Sequence, residues 1–258
     1  MNFSYHPKLA EEAKKIRVLI DDLGLTANFI VGGDGSLLVY LPNFYDNTSL
    51  PTFLISSNKS FGFYSSCRLD NYRDFLTNYA KSENKTLFEK EYYTLSVSIN
   101  NKILKEFSLN EVIISPNLEH ILDCNLEFQE TGEKLVKMRI KSTGFMFYTA
   151  NGWSGYASNC DAIKVKNNNI GAFCIFEMKE NGVKKIRNNS FETEHEIKME
   201  ILNHHKPMPH LSVDCKDLYE YDKSTTNKKH IFTKPHRLKT GDIIAIKQGK
   251  PIIIIRDI

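Results

Sequence analysis

The sequence predicts a small α/β domain over residues 1–82, followed by a larger antiparallel β-sandwich domain over residues 83–258. Three observations predict it. In the first third, apolar residues recur twice at helical spacing, each time beside a short apolar strand. From Tyr93 onward the apolar period changes to two, with turn residues at short intervals. The 258 residues also exceed what one small core needs, at roughly 100–200 residues per domain.

The elements follow in chain order. Met1–Tyr5 reads as a short strand. Pro7 opens a helix, where its missing N–H costs nothing. Leu9, Ala13, Ile16, Ile20 and Leu23 form one apolar helix face, and Gly24 ends the helix in a left-handed turn. Ala27–Val31 is a buried-type strand, Leu37–Leu41 a helix start and Pro51–Ser56 a further strand. Leu69, Tyr72, Phe75, Leu76 and Tyr79 mark a second helix, with Asp70 as its cap. The polar stretch Lys81–Lys85 is the predicted linker. Beyond it, Tyr93, Leu95, Val97 and Ile99 alternate with polar residues up to an Asn100-Asn101 turn. Further strands are predicted at Glu111–Ser115, Leu126–Gln129, Leu135–Lys141, Phe145–Tyr148, Ala172–Glu177, Glu196–Ile201, His210–Val213, Asp242–Lys247 and Pro251–Arg256. Many short strands with almost no helical signal argue for a sandwich or barrel-like sheet.

Composition narrows the function. The 34 basic and 31 acidic residues leave a net charge of +3, too balanced to predict nucleic acid or an acidic lipid surface as partner. The densest basic stretch, from Lys228-Lys229 to Lys239, reads as a solvated face. No run approaches the roughly 20 apolar residues of a membrane span. The N-terminus lacks the basic and apolar segments of a secretory signal. The five cysteines are widely spaced and form no CxxC, so they read as reduced thiols in a cytoplasmic protein.

Three features carry chemistry. The first is Gly32-Gly33-Asp34-Gly35-Ser36 after a strand. Glycines let the backbone approach a phosphate, helix-start N–H groups can face the anion, and the carboxylate can accept a hydroxyl proton. The same residues also fit a β-hairpin with Asp34-Gly35 at its tip, and the two readings stand about even. The second is Asn110-Glu111 at the head of an apolar strand. A carboxylate there can accept ribose hydroxyls, and a carboxamide matches the edge of adenine; ordinary strand-edge residues would look the same. The third is the polar run Thr149 to Asn159, in which Tyr156 or Trp153 could stack on a base. It also fits a plain loop before a short helix. The loop bearing His204, His205 and His210 reads as solvated rather than metal-binding.

In this order and spacing, the three features resemble the NAD kinase family over roughly residues 27 to 250. That family carries a Gly-Gly-Asp-Gly-Thr loop, a Gly-Phe-Leu segment, an Asn-Glu pair and a Ser-Thr-Pro-Thr-Gly-Ser-Thr-Ala-Tyr turn. Here Gly32–Ser36, Gly62-Phe63-Tyr64, Asn110-Glu111 and Thr149–Tyr156 stand in those places. Leu211–Cys215 looks like the family's strand ending in Asp-Gly. The resemblance implies transfer of the ATP γ-phosphoryl group to the 2′-hydroxyl of the adenosine ribose of NAD, with Mg²⁺ on the nucleotide. It implies Asp34 as catalytic base and Gly32, Gly33, Gly35 and Ser36 as the phosphate loop. It implies Phe63, Asn110, Glu111, Thr149, Asn151, Gly155, Tyr156 and Asn159 as the NAD site, and a homodimer or homotetramer.

The chain departs from the family pattern at several places. Thr143 replaces an Asp that contacts the nicotinamide side, and Asn151, Trp153 and Gly155 replace smaller or hydroxyl residues. Ser57 and Lys59 stand for Asn and Gly, and the N-terminal unit is short. Two alternatives therefore stay open. One is an adenine-nucleotide-binding relative that is non-catalytic or altered in specificity. The other is a lipid kinase of the diacylglycerol or sphingosine type.

Overall fold

In the computed structural model, residues 1–47, 50–58, 62–116, 120–129, 133–166, 168–203, 208–214 and 235–256 are described. Lys59, His204, His205, Cys215 and the Lys228-Lys229 pair lie outside the described residues. The chain forms two compact units, Met1–Tyr92 with Pro251–Ile258, and Tyr93–Lys250. The division thus falls at Tyr92/Tyr93, ten residues beyond the predicted 82/83 boundary, and the last residues return to the first unit.

In the first unit, β1 (Asn2–Tyr5) meets Pro7, which opens a single 3-10 turn feeding α1 (Ala10–Asp22). Ala13, Ile16 and Ile20 bury the predicted face of α1, and Gly24 closes it with φ of 63°. Then come β2 (Asn28–Val31), α2 (Asp34–Tyr40), β3 (Thr52–Ser56), β4 (Cys67–Arg68), α3 (Tyr72–Lys81) and β5 (Glu89–Tyr92). β1, β2 and β3 are parallel neighbours. The C-terminal strand Ile252–Ile255 joins this sheet between β3 and β5, parallel to β3 and antiparallel to β5. The sequence predicts that strand in the sandwich, but its pairing with β3 and β5 places it in the first unit's sheet. β2 and β3 are buried along their whole length, as a parallel sheet covered on both faces requires. Phe29 stacks on Phe53 at 4.8 Å, and Tyr79 of α3 meets Phe53 edge-on at 4.9 Å, tying the helix to the sheet. The residue at the α3 cap position is Asn71, not Asp70. Its side-chain oxygen accepts from the Arg68 amide at 2.8 Å and so shapes the entry turn. The first unit therefore places the loops after β1, β2 and β3 at one edge, the carboxyl ends of parallel strands, where α/β sheets hold ligands.

The second unit begins with β6 (Leu95–Ile99) and β7 (Lys102–Ser108), joined at Asn100 and Asn101 with φ of 51° and 64°, a tight hairpin turn. It continues through β8 (Glu111–Ser115), β9 (Leu122–Gln129), β10 (Leu135–Ser142), β11 (Gly144–Tyr148), β12 (Ile170–Ile175) and β13 (Ser190–Thr193). β14 (Ile197–Ile201), β15 (His210–Val213), β16 (His236–Arg237) and β17 (Ile243–Gln248) complete it. Two antiparallel sheets result, ordered β10-β9-β14-β17-β6-β7 and β13-β12-β11-β8-β15-β16. Leu126, Phe128, Met199 and Ile244 of the first sheet share one core with Val112, Ile114, Phe145 and Phe147 of the second. That shared core is the predicted sandwich. β12 ends at Ile175, two residues before its predicted end, because Phe176 turns to φ of 47°. The described helices include none long and apolar enough to cross a membrane.

Candidate functional site

The Gly32 loop is a strand–loop–helix junction, not a hairpin. β2 pairs in parallel with β1 and β3, so no antiparallel arm follows it. The amide of Gly32 donates to the Ile55 carbonyl at 2.9 Å, and α2 starts at Asp34, three residues before its predicted start. Asp34 thus sits in the first helical turn, where the backbone dipoles favour a carboxylate. Its two oxygens accept from the amides of Phe63 at 2.7 Å and Tyr64 at 3.2 Å. A Cβ on Gly62 would lie 2.2 Å from the Asp34 carboxylate, so only glycine permits this approach. A Cβ on Gly32 would lie 2.2 Å from the Ser36 hydroxyl oxygen, which shows how tightly the loop is wound. The Ser36 amide donates to Gly33 at 2.9 Å, and Gly35 is exposed with open space around its Cα. Phe63 is 44% exposed and rests edge-on against Tyr64 and Tyr92. The structure therefore joins Gly32, Gly33, Asp34, Gly35 and Ser36 to Gly62 and Phe63 within the first unit.

In the second unit, Asn110 lies in the turn between β7 and β8, and Glu111 opens β8. Both sides of that turn are held. On the amide side, the buried Asp214 carboxylate accepts from the Ser108 hydroxyl at 2.7 Å and the Asn110 amide at 2.8 Å. It also accepts from the amides of Leu109 at 3.1 Å and Glu111 at 3.2 Å. On the carbonyl side, the Thr149 hydroxyl donates to the Leu109 carbonyl at 2.7 Å, and the Thr149 amide donates to the Asn110 carbonyl at 2.9 Å. Asn151 donates its side-chain N–H to the Tyr93 carbonyl at 2.9 Å. Glu111 is only 6% exposed and Asn110 is half-buried.

The run from Thr149 to Asn159 forms two tight turns. Thr149 caps the first, accepting from the Gly152 amide at 3.0 Å. Gly152 abuts the turn before β8, since a Cβ there would lie 2.1 Å from the Asn110 carbonyl oxygen. Trp153 folds back, donating its indole N–H to Ala162 at 2.9 Å with the Lys164 ammonium over its ring at 5.4 Å. Its bulk is thereby spent on the turn's own packing. Gly155 leaves helical geometry (φ −94°, ψ −112°), and its carbonyl accepts from the side chains of Ser158 and Asn159, each at 3.1 Å. Tyr156 is 51% exposed. Thr143 lies at the opposite end of β11, where its hydroxyl and amide both donate to the Ile175 carbonyl at 2.9 Å.

Asn110, Glu111, Thr149 and Asn151 are therefore brought together in the second unit, with Gly155, Tyr156 and Asn159 in the adjoining exposed turn. Two members were missed as site residues, Gly152 and Asp214. Gly152 had a readable signal, since a glycine three residues after a Thr often begins a capped turn. Asp214 is joined to Asn110 only by β8–β15 pairing, a contact across about 100 residues that local spacing does not encode. Among the described residues, no group of three or more His, Cys, Asp or Glu side chains is placed to hold a metal ion.

No family profile and no curated protein matches the sequence. Solved structures do match the fold. An NAD kinase from Archaeoglobus fulgidus, solved in complex with ATP, is 16% identical with a TM-score of 0.64, covering 99% of this chain and 94% of that one. Yeast NADH kinase, solved with NADH, is 14% identical with a TM-score of 0.71, covering 100% of this chain and 84% of that one. At these identities the likeness is one of fold, shared over both units.

Proposed function

We propose that this chain is an ATP-dependent kinase that phosphorylates the 2′-hydroxyl of the adenosine ribose of NAD, giving NADP. One observation carries the reading. A fold like that of NAD and NADH kinases holds Asp34 beside Gly62-Phe63, and fixes an Asn110-Glu111 turn from both sides. In this reading the first unit handles the nucleotide phosphates through Gly32, Gly33, Gly35 and Ser36. The second holds the dinucleotide through Asn110 and Glu111, with Tyr156, Gly155 and Asn159 in the exposed turn. Thr149 and Asn151 serve by holding the turn, since their side chains bond the backbone. Phe63 offers an exposed aromatic edge beside Asp34.

The reaction forms a bond from the 2′-oxygen to the γ-phosphorus and breaks that phosphorus's bond to ADP. The hydroxyl proton passes to Asp34. A carboxylate offers about four lone-pair sites, so two backbone amides leave it room to accept that proton. Magnesium neutralises phosphate charge in such transfers and is commonly held by phosphates with few protein ligands. We infer a cytoplasmic homodimer or homotetramer, whose assembly state sedimentation would measure.

The test is purified protein with ATP, Mg²⁺ and NAD, with NADP read by a coupled dehydrogenase. The reading expects NADP in proportion to ADP. NAD and ATP binding without NADP would instead favour a non-catalytic relative. Transfer to a lipid alcohol but not to NAD would favour the lipid-kinase alternative.

A further inference from the structure

Asp214 directly follows β15 with φ of 54°, a conformation rare for residues other than Gly, Asn and Asp. It is 4% exposed, and its carboxylate takes four donors from one turn, Ser108 to Glu111. Among the described residues, one oxygen accepts all four, and the second shares the Leu109 amide, at 3.1 Å. So many donors converging on one atom suit an anion, because bonds to an ionised acceptor are about twice as strong as neutral ones. The backbone bond runs the other way as well: the Asp214 amide donates to the Glu111 carbonyl at 2.7 Å. The left-handed bend at the end of β15 therefore aims a buried anion into the turn that presents Asn110 and Glu111.

We propose that Asp214 is the positioning residue for the adenosine side of the dinucleotide site, acting through Asn110 and Glu111 without touching the ligand. This rests on the kinase reading above. Without the carboxylate, three consecutive amides and a hydroxyl lose their shared acceptor, and the two side chains lose their fixed register. The effect is expected on NAD, because every donor that Asp214 holds belongs to Ser108–Glu111, the segment that carries Asn110 and Glu111.

The test compares Asp214→Asn and Asp214→Ala in the full chain. Asn tolerates the left-handed backbone and keeps one oxygen, so it should fold where Ala does not. In the Asn variant, the amides of Leu109, Asn110 and Glu111 should exchange hydrogen about tenfold faster, the loss of one charge-assisted bond. NAD affinity by calorimetry should fall by a similar factor, with ATP affinity unchanged. Glu111→Gln should also weaken NAD binding less in the Asp214→Asn background than in the wild type, a coupling that general destabilisation would not produce. Unchanged amide exchange and unchanged NAD affinity in the Asn variant would overturn the positioning role while leaving the kinase reading intact. A wild-type protein that binds no NAD would overturn both. Equal losses for ATP and NAD would mean that Asp214 is merely structural.

Discussion

Replacing Gly152 with alanine should damage the packing around Asn110 in the second unit through a single methyl group. A Cβ at Gly152 would sit 2.1 Å from the carbonyl oxygen of Asn110, 2.5 Å from its carbon and 2.7 Å from its Cα. All three are backbone atoms, so no side chain can swing aside, and one of the two turns must move. Overpacking of this kind costs about 1–3 kcal/mol. The movement also stretches the bond from the Gly152 amide to the Thr149 hydroxyl, now 3.0 Å, at about 1 kcal/mol more. The expected loss is therefore about 2–4 kcal/mol, read as a lower urea midpoint for the second unit. The same shift displaces Asn110, and a misplacement of about 1 Å can cost roughly a hundredfold in rate. If Gly152→Ala matches wild type in urea midpoint and NAD affinity, the close packing of these two turns is wrong.

Other expectations follow from the same geometry. Thr149→Ala removes a buried hydroxyl that donates to Leu109 and accepts from Gly152, so thermal unfolding should show a loss of about 1–3 kcal/mol, while Thr149→Ser should recover most of it. Trp153→Phe removes the indole bond to Ala162, and should lower stability by about 1 kcal/mol while leaving the Asn110 turn in place, as NAD calorimetry would report. Burial pushes the Cys174 thiol up to about 12 from an ordinary value of 9.0. The fold thus favours the neutral thiol; that stability is fully present below the ordinary value and is lost as pH rises toward about 12. Between about pH 9 and pH 11, wild type should lose more unfolding free energy than Cys174→Ala, and a thiol reagent at neutral pH should spare Cys174 until the chain unfolds.

What was legible in the sequence was what repeats locally. The α1 face read true because Ala13, Ile16 and Ile20 recur at helical spacing on one buried side. The β8 and β15 limits are legible to the residue, since polar residues bound the Val112–Ile114 run of β8 and β15 alternates polar with apolar. β5 was missed because Glu89-Lys90-Glu91 carries charges that suit a sheet edge and hide its strand character. The C-terminal strand was assigned to the wrong unit because four consecutive isoleucines fit any buried strand, and only its pairing with β3 and β5 decides. The Gly32 loop was ambiguous for a related reason. Asp34-Gly35 satisfies both a hairpin and a strand–helix turn, and the parallel partners of β2 resolve it. At the site, Asp34, Asn110, Glu111 and Thr149 could be singled out because each belongs to a short local pattern. Gly62 is legible only as part of the Gly62-Phe63-Tyr64 segment, and its closeness to Asp34 depends on the β2–β3 pairing that brings residues 28 positions apart together.

The most direct test of the central claim is single-turnover transfer from ATP to NAD in wild type and Asp34→Asn, with NAD affinity measured alongside. Asparagine keeps the shape and an acceptor oxygen for one of the Phe63 and Tyr64 amides, and it cannot take the hydroxyl proton. The account predicts a rate lowered by about a hundredfold or more, with NAD affinity nearly unchanged. An Asp34→Asn protein that makes NADP at the wild-type rate would contradict it.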